Sequence, residues 1–173
     1  MRHTISVLVE NEFGVLARVA GLFSGRGFNI ESLSVAETLD TTVSRITLVT
    51  RGDDSVLEQI EKQLNKLICV IKVIDFAGTE HVERELVLIK VAAEERTRGE
   101  LANIVDIFRA KIIDVSAQSY VVEVTGAEDK IAALIELLKP IGILEIVRTG
   151  KVAMFRGSQL LTVDDTNGKE HAA

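Results

Sequence analysis

The sequence predicts an α+β chain of two βαββαβ units in tandem, each an antiparallel sheet with two helices on one face. Three observations predict it. The apolar residues alternate between a period of two and a period near 3.6, and the same order of changes occurs twice along the chain. Val49-Thr50-Arg51-Gly52-Asp53-Asp54 matches Val124-Thr125-Gly126-Ala127-Glu128-Asp129, each between a strand and a helix. Phe23, ahead of Gly27-Phe28-Asn29-Ile30, matches Phe108, ahead of Lys111-Ile112-Ile113-Asp114-Val115. The element order is the ferredoxin-like one, and the double correspondence points to duplication.

In the first unit, Thr4 to Val9 alternates, with Ile5, Val7 and Val9 on one side, and reads as a half-buried strand. From Gly14 the spacing becomes helical through Val15, Leu16, Val19, Leu22 and Phe23, and Gly25-Arg26-Gly27 ends the helix. Ile30 to Glu37 and Val43 to Arg51 form a hairpin through Leu39-Asp40-Thr41-Thr42. Gly52-Asp53-Asp54-Ser55 supplies N-cap residues for a helix marked by Val56, Leu57, Ile60, Leu64 and Leu67. Ile68 to Phe76 is the closing strand. The second unit repeats the order. Strands are expected at Glu85 to Ala92, Ile112 to Ser116, Tyr120 to Thr125 and Leu144 to Arg148. Its helices are marked by Leu101, Ile104, Val105 and Phe108, and by Ile131, Leu134, Ile135 and Leu138, the latter stopped by Pro140 and Gly142. The expected division is a domain at 1–77, a linker at 78–82, a second domain at 83–158 and a mobile tail at 159–173. Val152 to Phe155 is expected to extend the second sheet.

A chain of 173 residues that is 47% hydrophobic can build packed cores, and with no tryptophan those cores rest on Val, Ile and Leu. The formal charge of −6 argues against a phosphate-binding surface. RNA-recognition modules share the βαββαβ order but stack bases on aromatic residues of their central strands. Thr4–Val9 and Val43–Thr50 contain none. No apolar run approaches the ~20 residues of a membrane span, and a lone Cys69 forms no internal disulfide. The opening residues reach Glu10 before a signal-like segment develops. The expectation is a cytoplasmic protein that binds neither nucleic acid nor membrane.

An enzyme needs a nucleophile with a base. His3, His81 and His171 read as lying at the start, in the linker and in the tail, outside the compact elements. Cys69 reads as a small buried hydrophobe. The pairs Asp53/Asp54, Glu94/Glu95 and Asp164/Asp165 read as caps and solvated surface rather than metal ligands. Gly21 to Gly27 lies in and after a helix, where no phosphate loop belongs.

The turn at Asn11-Glu12-Phe13-Gly14 is different, because it opens a helix. A helix N-terminus offers unpaired N–H groups and partial positive charge, and Gly14 lets a ligand approach the backbone. Asn11 and Asn29 offer donors and acceptors to a zwitterion, and Val15, Leu16 and Ile30 an apolar wall. A structural reading accounts for the same residues: Asn11 caps the turn, Gly14 makes it, and Asn29 is a left-handed exit residue. A helix terminus contributes ~0.3–1 kcal/mol at the surface, whereas millimolar binding needs ~4 kcal/mol. One exposed loop is insufficient, so a site shared by two subunits is expected.

Ile5-Ser6-Val7-Leu8-Val9-Glu10-Asn11-Glu12-Phe13-Gly14-Val15-Leu16-Ala17-Arg18-Val19, followed by Arg26-Gly27-Phe28-Asn29-Ile30-Glu31-Ser32-Leu33, resembles an ACT domain. It is most similar to those of the small-subunit family of acetohydroxyacid (acetolactate) synthase. The resemblance runs through the second unit to Gly150-Lys151-Val152-Ala153. It implies a regulatory subunit, itself not an enzyme, that dimerises through its ACT domains and activates a catalytic large subunit. It implies feedback inhibition by valine or another branched-chain amino acid. It assigns no cofactor to this chain; thiamine diphosphate, magnesium and FAD belong to the catalytic subunit. The effector site implied uses Asn11, Gly14, Val15 and Leu16 of one subunit with Asn29 and Ile30 of the other, and Ala36 packs nearby. Glu94-Glu95-Arg96-Thr97-Arg98 replaces the motif in the second unit, where an assembly role is expected instead. A scaffold that binds no small effector is the alternative for the whole chain.

Overall fold

Alternation of Ile5, Val7 and Val9 with smaller residues makes β1 (Arg2–Glu10), and helical spacing after Gly14 makes α1 (Val15–Gly25). β2 (Ile30–Glu37), β3 (Val43–Arg51), α2 (Asp54–Leu64) and β4 (Val70–Asp75) follow. The structure, a computed structural model, describes residues 1–163. The expected mobile tail therefore falls largely outside the described residues, as do His171 and the Asp164/Asp165 pair. The first sheet has the order β2-β3-β1-β4 with antiparallel neighbours. Ile5, Val7 and Val9 meet Val15, Val19, Leu22 and Phe23 of α1 and Ile60 and Leu64 of α2 in one core.

Helix ends follow local chemistry. After α1 the Gly27 amide bonds to the Ser24 carbonyl and the Phe28 amide to that of Phe23, with Gly27 at φ 72°. The rings of Phe23 and Phe28 meet edge-on at 6.2 Å, the apolar contact that accompanies this C-terminal motif. Gly27, not Asn29, is thus the left-handed exit residue. Asp53 caps α2 by accepting the Val56 amide at 2.9 Å, and its hydrogen bonds from Ser55 and Val56 hold its carboxyl below the usual range. That helix stops at Leu64, leaving Leu67 in the following turn.

β1 is buried on both faces, not half-buried as expected: Thr4, Ser6 and Leu8 are as enclosed as the residues between them. Cover for this second face comes from the end of the chain. β9 (Val152–Phe155) lies beyond Lys151, whose amide donates to Ser32 Oγ at 2.9 Å. Arg45 Nη2 donates to the Ala153 carbonyl at 2.6 Å, and its Nε donates to Ser6 Oγ at 3.1 Å. Burial pulls the Arg45 guanidinium below its usual pKa. Ala153 and Phe155 form a cluster with Phe76, whose ring lies 5.1 Å from that of Phe155. The chain thus divides into Met1–Val82 with the segment from Lys151 onward, and Glu83–Gly150. The expected second domain, 83–158, differs from this division in the segment after Gly150. β9 does pair with β5 (His81–Ala92), the strand that leads from one unit into the other.

The second unit continues with α3 (Arg98–Ile107), β6 (Lys111–Val115), β7 (Ser119–Gly126), α4 (Glu128–Leu138) and β8 (Ile143–Arg148). Its order β6-β7-β5-β8 reproduces the first sheet, around Val87, Ile89, Val91, Leu101, Val122, Ile131 and Leu134. The irregularities repeat as well. Register slips between Leu8 and Val9 against β4, and between Lys90 and Val91 against β8. It slips again between Ile30 and Ser32, and between Ile112 and Asp114. Such bulges are built features of a sheet, so their recurrence carries the duplication from sequence into geometry.

The paired glycines at the strand-to-helix junctions yield a test. A Cβ on Gly52 would lie 2.6 Å from Cγ1 of β-branched Val56, whereas one on Gly126 would lie 2.7 Å from the movable Cδ of Lys130. Gly52→Ala is expected to cost about 1–3 kcal/mol through overpacking. Gly126→Ala should be nearly neutral. Urea denaturation of the two variants compares them directly.

Candidate functional site

Three loops meet at one end of the first sheet. β1 ends at Glu10 opposite the start of β3, and β4 starts beside Val9. The β1–α1 loop, the β2–β3 hairpin and the α2–β4 loop are therefore neighbours. Hydrogen bonds tie them: Glu10 N to Cys69 O at 2.9 Å and Asn11 N to Thr42 O at 2.7 Å. Asn11 Nδ2 donates to Glu37 Oε1 at 3.1 Å and to the Thr41 carbonyl at 2.8 Å. Both amide hydrogens of Asn11 are thereby engaged by the hairpin, and Oδ1 is the atom it can offer an ammonium.

Gly14 has φ 82° and leaves α1 without a side-chain cap. A Cβ there would touch nothing within 4 Å, so open space adjoins the backbone, as a closely approaching ligand requires. The first intrahelical bond beyond the turn runs from Arg18 N to Gly14 O, and no acidic residue stands in the first turn. Within its first turn, then, no side-chain carboxylate offsets the positive end of the helix.

The other expected residues divide. Leu16 is 42% exposed at this end, but Val15 is 4% exposed and belongs to the core. Val15 cannot form a ligand wall, because the i, i+4 spacing with Val19 turns it inward. Asn29 is exposed, and Ile30 packs partly against the core. Ala36 stands opposite Arg45, on the sheet face away from α1. Val35, not anticipated, is 42% exposed on the helix-facing side of the edge strand β2. The alternation of Leu33 and Val35 was the signal that could have found it.

Asn11 and Gly14 lie at the start of α1, whereas Asn29 and Ile30 follow its end. A helix of 11 residues is about 16 Å long. Within one copy the two halves lie at opposite ends of the unit. β2 is an open edge, so two copies paired antiparallel along it would bring the Ile30 end of one to the Glu37 end of the other.

In the second unit the corresponding loop is filled by its own side chains. Arg98 donates through Nε to the Ala93 carbonyl at 3.1 Å and through Nη2 to that of Ala117 at 2.7 Å. The histidines also differ from expectation. His3 lies within β1 at 4% exposure, its Nδ1 3.4 Å from Asp75 Oδ2, and His81 begins β5. Cys69 is free and buried. Among the described residues no group of His, Cys, Asp or Glu could hold a metal ion, and no helix is long and apolar enough to cross a membrane.

A βαββαβ unit with a glycine-opened helix and an open β2 edge defines an ACT-type regulatory domain, and residues 5–72 match the family described as "AHAS small subunit-like ACT domain". Residues 84–157 match the family described as "Small subunit of acetolactate synthase". A probable acetolactate synthase small subunit of Archaeoglobus fulgidus is 58% identical, over 92% of this chain and 99% of its own length. The acetolactate synthase small subunit of Aquifex aeolicus is 56% identical, over 90% and 81%. The crystal structure of that of Thermotoga maritima superposes with a TM-score of 0.83 at 45% identity, covering 92% and 99%. The chain belongs to the family of acetolactate synthase small subunits. It is a regulatory subunit, and catalysis lies on the large one.

Proposed function

We propose that this chain activates the catalytic subunit of acetolactate synthase and confers feedback inhibition by valine, or another branched-chain amino acid, in the cytoplasmic synthesis of valine and isoleucine. The effector binds between the ACT domains of a homodimer. Its carboxylate meets the amides at the start of α1 beyond Gly14, its ammonium meets Asn11 Oδ1, and its side chain lies against Leu16. The partner copy supplies Asn29 and Ile30. Thiamine diphosphate, magnesium and FAD reside on the catalytic subunit. The observation that carries this reading is the separation of the two half-sites to opposite ends of α1 beside an open β2 edge. Allosteric coupling of this kind amounts to ~1–3 kcal/mol, enough for a several-fold change in activity.

One observation favours the scaffold alternative: Asn11 is already bonded to the hairpin. Titration calorimetry separates the two. Valine should release or absorb heat on the full chain, and Asn29→Ala should weaken binding about tenfold, the loss of a ~1.4 kcal/mol interaction. No heat and no thermal shift at millimolar valine, with activation of the large subunit preserved, would leave the scaffold.

A further inference from the structure

Phe13 is 104% exposed, Leu39 107% and Ile68 97%, more than any other large hydrophobic among the described residues, where Met1 follows at 85%. They occupy the three neighbouring loops at one end of the first sheet: Phe13 between β1 and α1, Leu39 in the β2–β3 hairpin, and Ile68 between α2 and β4. Exposed large hydrophobics scattered singly need no explanation, but these three stand on adjoining loops at one end of one sheet.

These loops are held firmly. Asp40 Oδ1 accepts the Thr42 amide at 2.9 Å and its hydroxyl at 2.6 Å, and Thr38 N donates to the Val43 carbonyl at 2.9 Å. Asn11 ties the hairpin to the first loop, and the Cys69 carbonyl ties the third loop to β1. A patch presented on ordered backbone loses little freedom when it docks.

Glu10, Glu12, Glu37 and Asp40 are exposed around the patch, and Lys66 is the one basic residue of these loops. Two copies meeting here would set carboxylates against carboxylates. The dimer proposed above seats the partner's Ile30 end beside Glu37, whereas the order β2-β3-β1-β4 puts Ile68, just before β4, at the opposite edge from that seam. An apolar core with a charged rim suits a different chain that offers an apolar hollow bordered by Lys and Arg.

We propose that Phe13, Leu39 and Ile68 form the surface that docks onto the catalytic large subunit. The inference rests on the regulatory reading above and deepens it. Phe13 stands beside Gly14, so the loop that meets the effector also meets the partner. A ligand that shifts this loop changes the docked geometry directly, and docking changes effector affinity by the same factor.

The test is the full chain carrying Phe13→Ser, Leu39→Ser and Ile68→Ser together, titrated into the large subunit. The concentration for half-maximal activation should rise about tenfold or more, as expected for lost interface anchors. The thermal midpoint and the sedimentation coefficient of the isolated variant should match wild type. An unchanged activation curve overturns the proposal, as does a shift in the oligomeric state of the isolated chain, which would make the patch a contact between copies. If the triple variant does not fold, Leu39→Ser alone, on the hairpin held by Asp40, decides by the same titration. A wild-type chain that activates nothing would sink the regulatory reading, and this inference with it.

Discussion

Gly14→Asp is expected to abolish valine inhibition of the reconstituted holoenzyme while activation persists. The new carboxylate would stand where the ligand's carboxylate must approach the helix start. Two like charges ~4 Å apart repel by about 1 kcal/mol in bulk water and about 4 kcal/mol at the effective dielectric of a protein surface. Since ~1.4 kcal/mol is tenfold, sensitivity should fall by an order of magnitude or more. The fold should survive. The added Cβ meets no neighbour, and a non-glycine residue at φ 82° costs about 1–2 kcal/mol, with aspartate among the better tolerated. Gly14→Ala carries the backbone strain without the charge and should retain much of the inhibition. Normal valine sensitivity in Gly14→Asp would refute the site.

Phe76→Ala should produce the largest loss of stability, about 3–5 kcal/mol. Its ring is fully enclosed, 5.1 Å from the rings of both Phe155 and His81, with Ala153 and Ile74 beside it. Truncation leaves β9 without its main apolar anchor, held by its pairing with β5 and by hydrogen bonds such as those of Arg45 and Ser32. Urea denaturation should report the energy, and trypsin should cut faster at Lys151, which is 7% exposed in the intact fold. A loss under about 1 kcal/mol, the ordinary effect of a point mutation, would show that the segment after Lys151 is not part of the first unit's packing.

How much of this was legible depended on the range of the cause. Strand and helix positions follow from spacing within a few residues, so β2 and β3 fall at Ile30–Glu37 and Val43–Arg51 as expected. The second face of β1 was not legible. Ser6 looks solvated until Arg45 donates to it, and Arg45 is itself held by the carbonyl of Ala153, 108 residues further on. Within the candidate site, the turn at Gly14 was readable from local chemistry, and the exposure of Leu16 from its place in the helical pattern. Val15 was misjudged because adjacency to Gly14 outweighed the helical turn that sends it inward. Asn29 looked like an exit residue because Gly27 and Phe28 share the same few positions, and only their hydrogen bonds to Ser24 and Phe23 separate the roles.

The return of the chain beyond Lys151 has a consequence for biosynthesis. Single domains usually complete themselves in order as they leave the ribosome, amino-terminal first. Here the first 82 residues emerge with Phe76 lacking the Ala153 and Phe155 that enclose it. The stretch from Glu83 to Gly150 contains its whole core and can close while synthesis continues. The regulatory unit, first to be translated, is thus the last to be finished.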